Sequence, residues 1–331
     1  MTWEKLDWAS LDRHRERFLG GRPSEGPYWA SSDDVGSYDL TFGERIGWKW
    51  DAVLDELQLR GWRPGGGAVL DWGCGSGIAG RRVVARFGAS AFGSLHVWDH
   101  SQVARDFAQG KARCEFPGLA VSIAQEELLH GGGPIGLLVV SHVLNELQPA
   151  ALAEVKGLVA RSSAVLWTEP GSRDSSRALG LLRDGWARDF QVVAPCTHSG
   201  PCPVLAPGNE RHWCHHFAAP PSAIFADSNW VKFGRRAGID LRSLPYSFIA
   251  LDRDWAGRAR GLSRVIGRPE AFKPYVRLLN CDEAGLAELT ANRRDCAALC
   301  KELEKTKRPL VYEWVREGAT IRSGAAVRPR S

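Results

Sequence analysis

The sequence predicts an α/β fold with a Rossmann-like sheet, an N-terminal helical cap and a cysteine-rich inserted loop. An apolar run at 68–70 leads into a glycine-rich loop, as in sheets that bind a ligand above a strand end. Apolar runs and helical patterns then alternate up to about residue 188, which is typical of a parallel sheet covered by helices. A Pro-, His- and Cys-rich segment at 191–221 interrupts the alternation, which resumes after it.

The composition is that of a soluble globular protein. The chain has 331 residues, of which 44% are hydrophobic and 24% charged. No apolar run approaches the roughly 18 residues that a membrane span needs, so we expect no membrane partner. Glu4, Asp7 and Asp12 lie near the start without an apolar stretch, which argues against a secretory signal or a transit peptide. We therefore expect a cytoplasmic location.

The net charge and the number of cysteines indicate which partners and ligands to expect. The net charge of +5 is mildly basic, as expected for a protein that meets nucleic acid. Arginine clusters at 13–17, 235–236 and 293–294 contribute to it, although a solvated helix face explains each one singly. Eight cysteines in a cytosolic type of chain favour metal or cluster ligands over disulfides.

The chain is predicted to have three parts. Residues 1–62 form a helical cap with a Gly-, Pro- and Ser-rich loop at 20–37, and its last helix, at 45–59, ends before Gly61 and Pro64. Residues 63–304 form the α/β domain, with the insertion at 191–221, and 305–331 form a C-terminal extension. The arginine-rich tail 321–331 has little apolar content, and we expect it to be disordered.

The domain is predicted element by element from apolar runs and helical periodicity. Strands are expected at 68–71, 94–98, 119–123, 136–140, 163–168, 244–251 and 275–279. Helices are expected at 77–87, 101–111, 146–161, 174–188, 222–237 and 284–304.

The glycine loop is the predicted cofactor site. Asp71 ends the first strand, and Gly73, Gly75 and Gly77 allow a tight turn and close approach of a ligand. The following helix offers free N–H groups. Asp99 lies at the end of the next strand, where a ribose diol would bind.

Two cofactors share this geometry. The spacing Gly75-x-Gly77-x-x-Gly80 also fits the dinucleotide fingerprint, which leaves a nicotinamide-dependent oxidoreductase as an alternative. The sequence D-W-G-C-G-S-G, however, resembles motif I of the S-adenosylmethionine (SAM) methyltransferases. That resemblance implies a class I SAM-dependent methyltransferase sheet, with the loop around the methionine part and Asp99 on the ribose.

Four polar residues follow later strand ends and are the catalytic candidates: His142, Asn145, Glu146 and Glu169. Capping of the next helix is the alternative role for the first and third of them. Methyl transfer depends mainly on positioning, so no catalytic triad is required. The Asp/Asn-Pro-Pro-aromatic motif of methylases that act on base amino groups is missing, which leaves the acceptor atom open.

Cys196, Cys202 and Cys214 lie in a proline-stiffened segment that is poor core material, and Cys281 supplies a fourth sulfur. Such a set suits thiolate ligation of a cluster. A zinc site with His198 or His215 is an alternative, although C-x-x-C pairs are missing. A nucleophilic thiol at Cys196 is a third interpretation.

Several segments together resemble the methyltransferase-like family of mitochondrial small-ribosomal-subunit proteins and their bacterial relatives. They include S-H-V-L-N-E-L, W-T-E-P-G, A-P-C-T-H-S-G-P-C-P, H-W-C-H-H-F and Y-V-R-L-L-N-C, within roughly residues 40–285. The resemblance implies a 4Fe–4S cluster on the four cysteines and a role with the small ribosomal subunit or its rRNA. We expect no DNA partner. Methylation of rRNA is the leading interpretation, and a non-catalytic assembly factor that retains SAM binding is the alternative.

Overall fold

The computed structural model describes residues 1–20, 29–257, 261–305 and 310–327. The helices are α1 (Trp8–Gly20), α2 (Ser32–Tyr38), α3 (Glu44–Leu59), α4 (Ile78–Phe87), α5 (Gln102–Glu115), α6 (Glu126–Leu129), α7 (Pro149–Ala160), α8 (Arg173–Trp186), α9 (Ser228–Ala237) and α10 (Arg293–Lys305). The strands are β1 (Ala68–Trp72), β2 (Ser94–Trp98), β3 (Ala120–Ile123), β4 (Ile135–Ser141), β5 (Ser162–Pro170), β6 (Gln191–Ala194), β7 (His216–Ala218), β8 (Leu244–Asp252), β9 (Ser263–Ala271), β10 (Tyr275–Asp282), β11 (Gly285–Asn292), β12 (Val311–Glu317) and β13 (Thr320–Ala326).

Cα packing divides the chain into two units. The first unit comprises Met1–Asp51, Pro64–Thr168 and Ala219–Leu244, and the second comprises Ala52–Arg63, Glu169–Ala218 and Pro245–Ser331. The units interleave along the sequence, so neither corresponds to one of the three predicted parts, whose boundaries stay a prediction. Within the described ranges, no helix combines the length and the apolar character needed to cross a membrane.

The first unit contains a parallel sheet in the order β3-β2-β1-β4-β5. All five strands were predicted, and the α/β, class I methyltransferase-type fold is confirmed. Because β1 pairs with β2 on one side and β4 on the other, the strand order reverses at β1. A crevice forms above such a reversal, and the glycine loop follows β1 directly.

The N-terminal cap is helical, as predicted, with one difference. The segment 20–37 was predicted to be a loop, but Ser32–Tyr38 is α2, and 21–28 lie outside the described residues. The Ser31 hydroxyl accepts a hydrogen bond from the Asp34 N–H, which caps this helix. Asp34 also lies 2.7 Å from His14 Nε2. A long-range contact therefore supports a helix whose local composition is typical of a loop.

The second unit contains antiparallel strands and a closed barrel. Strand β8 pairs with β6 and with β7, and the barrel has the order β10-β11-β13-β12-β9. The barrel was not predicted. Its interior is apolar and includes Val276, Leu278, Leu289 and Ile321.

Two predicted elements in the barrel are wrong. Residues 285–292 form β11 instead of the first half of a helix at 284–304, and α10 begins only at Arg293. Burial of Leu289 and Ala291 follows the two-residue period of a strand, and β11 pairs along its length with β10. The tail was predicted to be disordered from 321, but Thr320–Ala326 is β13, which pairs with β12; residues 328–331 lie outside the described part.

A buried ion group lies in the second unit. Glu56 is fully buried between two buried arginines: Arg60 Nη2 is 2.8 Å from Oε1, and Arg264 Nη1 is 2.5 Å from Oε2. Burial alone would raise the pKa of Glu56, but the charges of Arg264 and Arg60 outweigh it and lower the pKa. Removing one member of such a group leaves uncompensated buried charge.

We predict that Glu56→Gln lowers the free energy of unfolding by about 3–5 kcal/mol, because two guanidinium groups lose their counter-ion. The control is Asp12→Asn, which removes the exposed Arg236 pair at 2.8 Å and should cost at most about 1 kcal/mol. Urea unfolding measures both. Equal losses in the two variants would contradict the assignment.

The same variant has a pH signature. A lowered folded-state pKa means that the Glu56 contribution is complete above the ordinary value of 4.5 and is lost as the pH falls toward the folded value. The difference in melting temperature between the natural chain and Glu56→Gln should therefore shrink in acid.

Candidate functional site

A cavity of about 330 Å³ lies above the carboxyl ends of β1, β2 and β4, within the first unit. We call it the glycine-loop cavity. Its lining includes Trp29, Tyr38, Ile46, Trp72, Gly73, Cys74, Gly75, Ser76, Trp98, Asp99, His100, Ser141, His142, Val143, Glu146 and Gln148. Its volume lies in the range of small-molecule sites, roughly 300–1,000 Å³.

The glycines of the loop are required by its geometry. Gly73 has φ of +67°, and a Cβ there would lie 2.8 Å from Val143 Cγ1. Gly77 has φ of +77°, and a Cβ there would lie 2.8 Å from the Ala108 Cβ. Side chains at these two positions would be both strained and obstructed, which explains the glycines independently of any ligand.

Two aspartates hold the loop in place. Asp99 Oδ2 accepts a hydrogen bond from the Gly75 N–H at 3.0 Å, and Oδ1 accepts one from the Ser101 N–H at 2.9 Å. Asp71 Oδ2 accepts one from the Gly80 N–H at 3.0 Å. Asp71 is fully buried, and burial raises its pKa to about 7. Of the predicted cofactor residues, Gly73, Gly75 and Asp99 line the cavity, whereas Asp71 and Gly77 are not among its lining residues.

Aromatic walls are the feature of this cavity that the sequence did not indicate. Trp72 and Trp98 stack with ring centroids 4.9 Å apart and an interplanar angle of 17°. Trp29 and Tyr38 come from the N-terminal segment and meet at 5.0 Å. The sequence does place Trp72 and Trp98 at the ends of two predicted strands. Only the fold, however, shows that Trp29 and Tyr38 of the N-terminal segment lie at the same loop.

His142 is held as a neutral ring. It has φ of +57°, and its Nε2 lies 3.1 Å from Lys49 Nζ while Nδ1 lies 3.2 Å from Ser141 Oγ. Burial, and then the charge of Lys49, lowers the pKa of His142 well below its ordinary value. A neutral imidazole with both nitrogens engaged is suited to hold neighbouring groups in position, and less suited to accept a proton.

The other catalytic candidates are distributed differently. Glu146 is exposed and lines the cavity, and its charge contributes to the raised pKa of Tyr38, for which burial is the larger cause. Asn145 is exposed and Glu169 is buried, and neither is among the lining residues. Catalytic roles for all four candidates stay predictions.

The four predicted cysteine ligands lie in the second unit and come together. Cys281 packs with Val204 and Ile266, and Cys202 and Cys214 pack against the same cluster. Cys196, Cys202 and Cys214 also line a cavity of about 30 Å³. Neither His198 nor His215 is among its lining residues.

Three arginines hold the cysteine loop, residues 195–215, by its carbonyl groups. Arg60 donates to the Pro195 and Cys196 carbonyls at 2.7 and 3.0 Å, and Arg183 donates to the His198 carbonyl at 2.8 Å. Arg177 donates to the carbonyls of Val204, Asn209 and His212. The loop therefore gains hydrogen bonds that its irregular backbone does not supply itself. Nothing in the sequence distinguishes these arginines from surface ones.

The thiols affect one another electrostatically. Burial raises the pKa of Cys202 to about 11, and the neighbouring Cys196 contributes to the rise. Burial, and then the other thiols of the set, also raise the pKa of Cys214 and of Cys281. The four thiolates would repel one another without a cationic centre between them, so the donor set fits a thiophilic metal group. Among the described residues, however, no three His, Cys, Asp or Glu side chains are placed to hold a metal ion.

A family model described as "Mitochondrial small ribosomal subunit Rsm22" matches residues 58–305, about three quarters of the chain. No curated protein matches the chain significantly.

Solved structures that are similar to the chain include methyltransferases. An O-methyltransferase family protein from Burkholderia thailandensis is 16% identical, with a TM-score of 0.41 over 77% of this chain and 71% of that one. The 16S rRNA methylase RmtB is 13% identical, with a TM-score of 0.36 over 75% and 76%. TrmK of M. capricolum, solved with S-adenosylhomocysteine, is 12% identical, with a TM-score of 0.34 over 60% and 67%. These TM-scores are low, so the fold assignment rests on the strand order.

We predict that Asp99→Ala weakens binding of S-adenosylhomocysteine at least about tenfold, because the Gly75 N–H loses its acceptor and the cavity loses the carboxylate beside the loop. Titration calorimetry measures this, and Asp106→Ala, an exposed acid on α5, is the control. NAD⁺ in a parallel titration tests the nicotinamide alternative. Unchanged affinity in Asp99→Ala would show that the ligand binds elsewhere.

Proposed function

The chain belongs to the Rsm22 family of the mitochondrial small ribosomal subunit, and we propose that it is a SAM-dependent methyltransferase acting on rRNA of the small ribosomal subunit in the cytoplasm. The observation that carries this proposal is the glycine-loop cavity, in which the loop backbone, Asp99 and paired indole rings surround one space. Family membership supports the ribosomal partner, and the cavity supports the cofactor.

The residues of the cavity fit an adenosyl ligand by their chemistry. Gly73 and Gly75 of the loop between β1 and α4 line the cavity without a Cβ, and the Asp99 carboxylate can accept a hydrogen bond from a ribose hydroxyl. Trp72 and Trp98 offer apolar faces. SAM, when bound, would supply an electrophilic methyl group.

The remaining residues would position the acceptor. Neutral His142 and the neighbouring Ser141 form one wall, and the Trp50 indole N–H donates to Ser141 Oγ at 2.9 Å and fixes its orientation. Glu146, on the same rim, would accept a hydrogen bond from an amino or hydroxyl acceptor. This arrangement aligns groups without a dedicated base, which suits a displacement reaction that depends on positioning.

We predict that the chain transfers labelled methyl from SAM into immature small-subunit RNA, and that Gly75→Arg lowers the rate about 100-fold or more. Gly75 has φ of +51°, and its Cβ would point toward the Trp29 ring at 3.7 Å, so an arginine would fill the cavity. Gly110→Arg is the control, because a Cβ there meets nothing within 4 Å. A natural chain that binds S-adenosylhomocysteine and subunits but transfers no methyl would support the alternative, a non-catalytic assembly factor.

We further propose that Cys196, Cys202, Cys214 and Cys281 hold a 4Fe–4S cluster. The support is their common location, the contribution of neighbouring thiols to the raised pKa of Cys202, Cys214 and Cys281, and the arginines that hold the loop backbone. The cluster would tie the cysteine loop to β10, which is a structural role. Among the described side chains, no three potential metal ligands are close enough together to hold a metal ion. The four sulfurs would therefore have to approach one another to complete the site. Structural zinc is the second candidate for the same residues.

We predict that full-length chain purified without oxygen is brown and contains about four iron and four sulfide per chain, and that Cys214→Ser loses most of this content. Cys114→Ser, an exposed thiol of the first unit, is the control and should retain it. Iron and acid-labile sulfide analysis with the visible absorption spectrum measures both. Colourless protein with about one zinc per chain would favour the zinc alternative instead.

A further inference from the structure

The barrel of the second unit has the strand connections of an OB-fold. Numbered within the barrel, the first strand, β9, pairs antiparallel with the second, β10, and with the fourth, β12. The third strand, β11, pairs with the second and runs parallel to the fifth, β13, and α10 lies between the third and fourth. Barrels of this type bind oligonucleotides on the face of the second and third strands and on the adjoining loops.

That face has a covered half and an open half. The outward residues of β10 alternate with the inward Val276 and Leu278. At one end the outward Leu279 and Cys281 pack under the cysteine loop against Val204. At the other end the outward residues Tyr275 and Arg277 are not members of this cluster as the described residues form it, and they pair in register with Asn292 and Thr290 of β11.

The open half carries a tilted pair of aromatic rings. Phe272, in the loop between β9 and β10, is 37% exposed and lies 4.8 Å from the Tyr275 ring at an interplanar angle of 33°. Arg293 donates to the Phe272 carbonyl at 3.1 Å and so fixes the loop. The loop between β12 and β13 borders the same end, because the Thr290 N–H donates to the Ala319 carbonyl. The exposed Phe272 ring and the half-buried Tyr275 ring thus lie together beside a loop held by a hydrogen bond, and single strands bind to aromatic rings of this kind by base stacking.

Two cationic residues lie next to the rings. The Arg277 guanidinium lies 5.3 Å from the centre of the Phe272 ring, and Lys273, next to it in the loop, is exposed. Glu270 partly neutralises Arg277 at 2.5 Å. Rings, positive charge and hydrogen-bonding Thr290 and Asn292 side chains together match the bases and phosphates of a single strand.

We propose that this open half, formed by Phe272, Lys273, Tyr275, Arg277, Thr290 and Asn292, binds single-stranded RNA through base stacking. This deepens the proposed function, on which it rests for the source of the RNA: the surface would hold an unpaired rRNA segment of the small subunit. The surface belongs entirely to the second unit and is separate in sequence from the glycine-loop cavity.

The test is binding of the full chain to a labelled oligouridine of about 12 nucleotides, followed by fluorescence anisotropy. Phe272→Ala with Tyr275→Ala should weaken binding at least about tenfold, because two stacking surfaces are lost. Phe225→Ala removes a ring that is 48% exposed in the first unit, and it should bind like the natural chain. Thermal melting checks that the double variant remains folded.

Two charge variants give opposite expectations. Arg277→Ala should weaken binding and reduce the salt dependence of log Kd by about one unit. Glu270→Gln frees the same guanidinium and should tighten binding. A purely structural role for this ion pair would move both variants in the same direction, which would overturn the assignment.

The outcomes separate the two proposals. Oligouridine binding that is unchanged in the double variant overturns the RNA surface, even if methyl transfer is observed. Loss of oligouridine binding in the double variant, with unchanged affinity for S-adenosylhomocysteine, supports the surface even if the natural chain transfers no methyl to small-subunit RNA, in which case only the proposed activity fails. A double variant that also loses S-adenosylhomocysteine binding counts against the surface, because the change is then not local.

Discussion

The ion pairs that the buried Glu56 carboxylate makes with two arginines are the interaction on which the second unit depends. The carboxylate neutralises the charge of two buried guanidinium groups, those of Arg60 and Arg264, which contact different parts of the second unit. Arg60 also holds the first carbonyls of the cysteine loop, and Arg264 lies in β9 of the barrel, where it pairs in register with Cys281. One acidic side chain thus joins the loop that carries three of the cysteines to the strand beside the fourth. Its hydrophobic replacement would leave two charges without a partner in a low-dielectric interior.

The parallel sheet could be predicted from the sequence because each of its elements is encoded locally. Strand β4 is a run of mostly buried aliphatic residues, and α5 and α8 directly follow Ser101 and Ser172, whose hydroxyls cap them. The barrel could not be predicted in the same way. Strand β11 is defined by pairing with β10 and, across an intervening helix, with β13. Its short apolar segment fits a helix as well as a strand until the partner strands are known.

Some features of the candidate site could likewise be predicted from the sequence, and others could not. Gly73, Gly75 and Asp99 follow strand ends, and strand ends of a parallel sheet share one edge, so their convergence follows from topology. The chemical state of His142 does not follow, since it depends on Lys49, about ninety residues earlier, and on burial. The cysteines show a third case: the sequence supplies the residue types, and a family resemblance supplies the grouping. The arginines that position their loop carry no local signal at all.

Strand β10 contributes residues to both proposed ligand sites of the second unit, the metal site and the RNA surface. It does so because its side chains alternate between two faces. Its inward residues fill the barrel. Its outward residues pack with Cys202 and Cys214 at one end and belong to the proposed RNA surface at the other. The pairing of β10 with β11 is continuous from Tyr275 to Asp282, whereas its pairing with β9 shifts register between Arg277 and Leu279. The two ends of β10 are therefore held in a common register by β11 and not by β9. A metal group bound at Cys281 would influence the proposed RNA surface through this ladder with β11. Such an effect would need no change of oxidation state at the metal group.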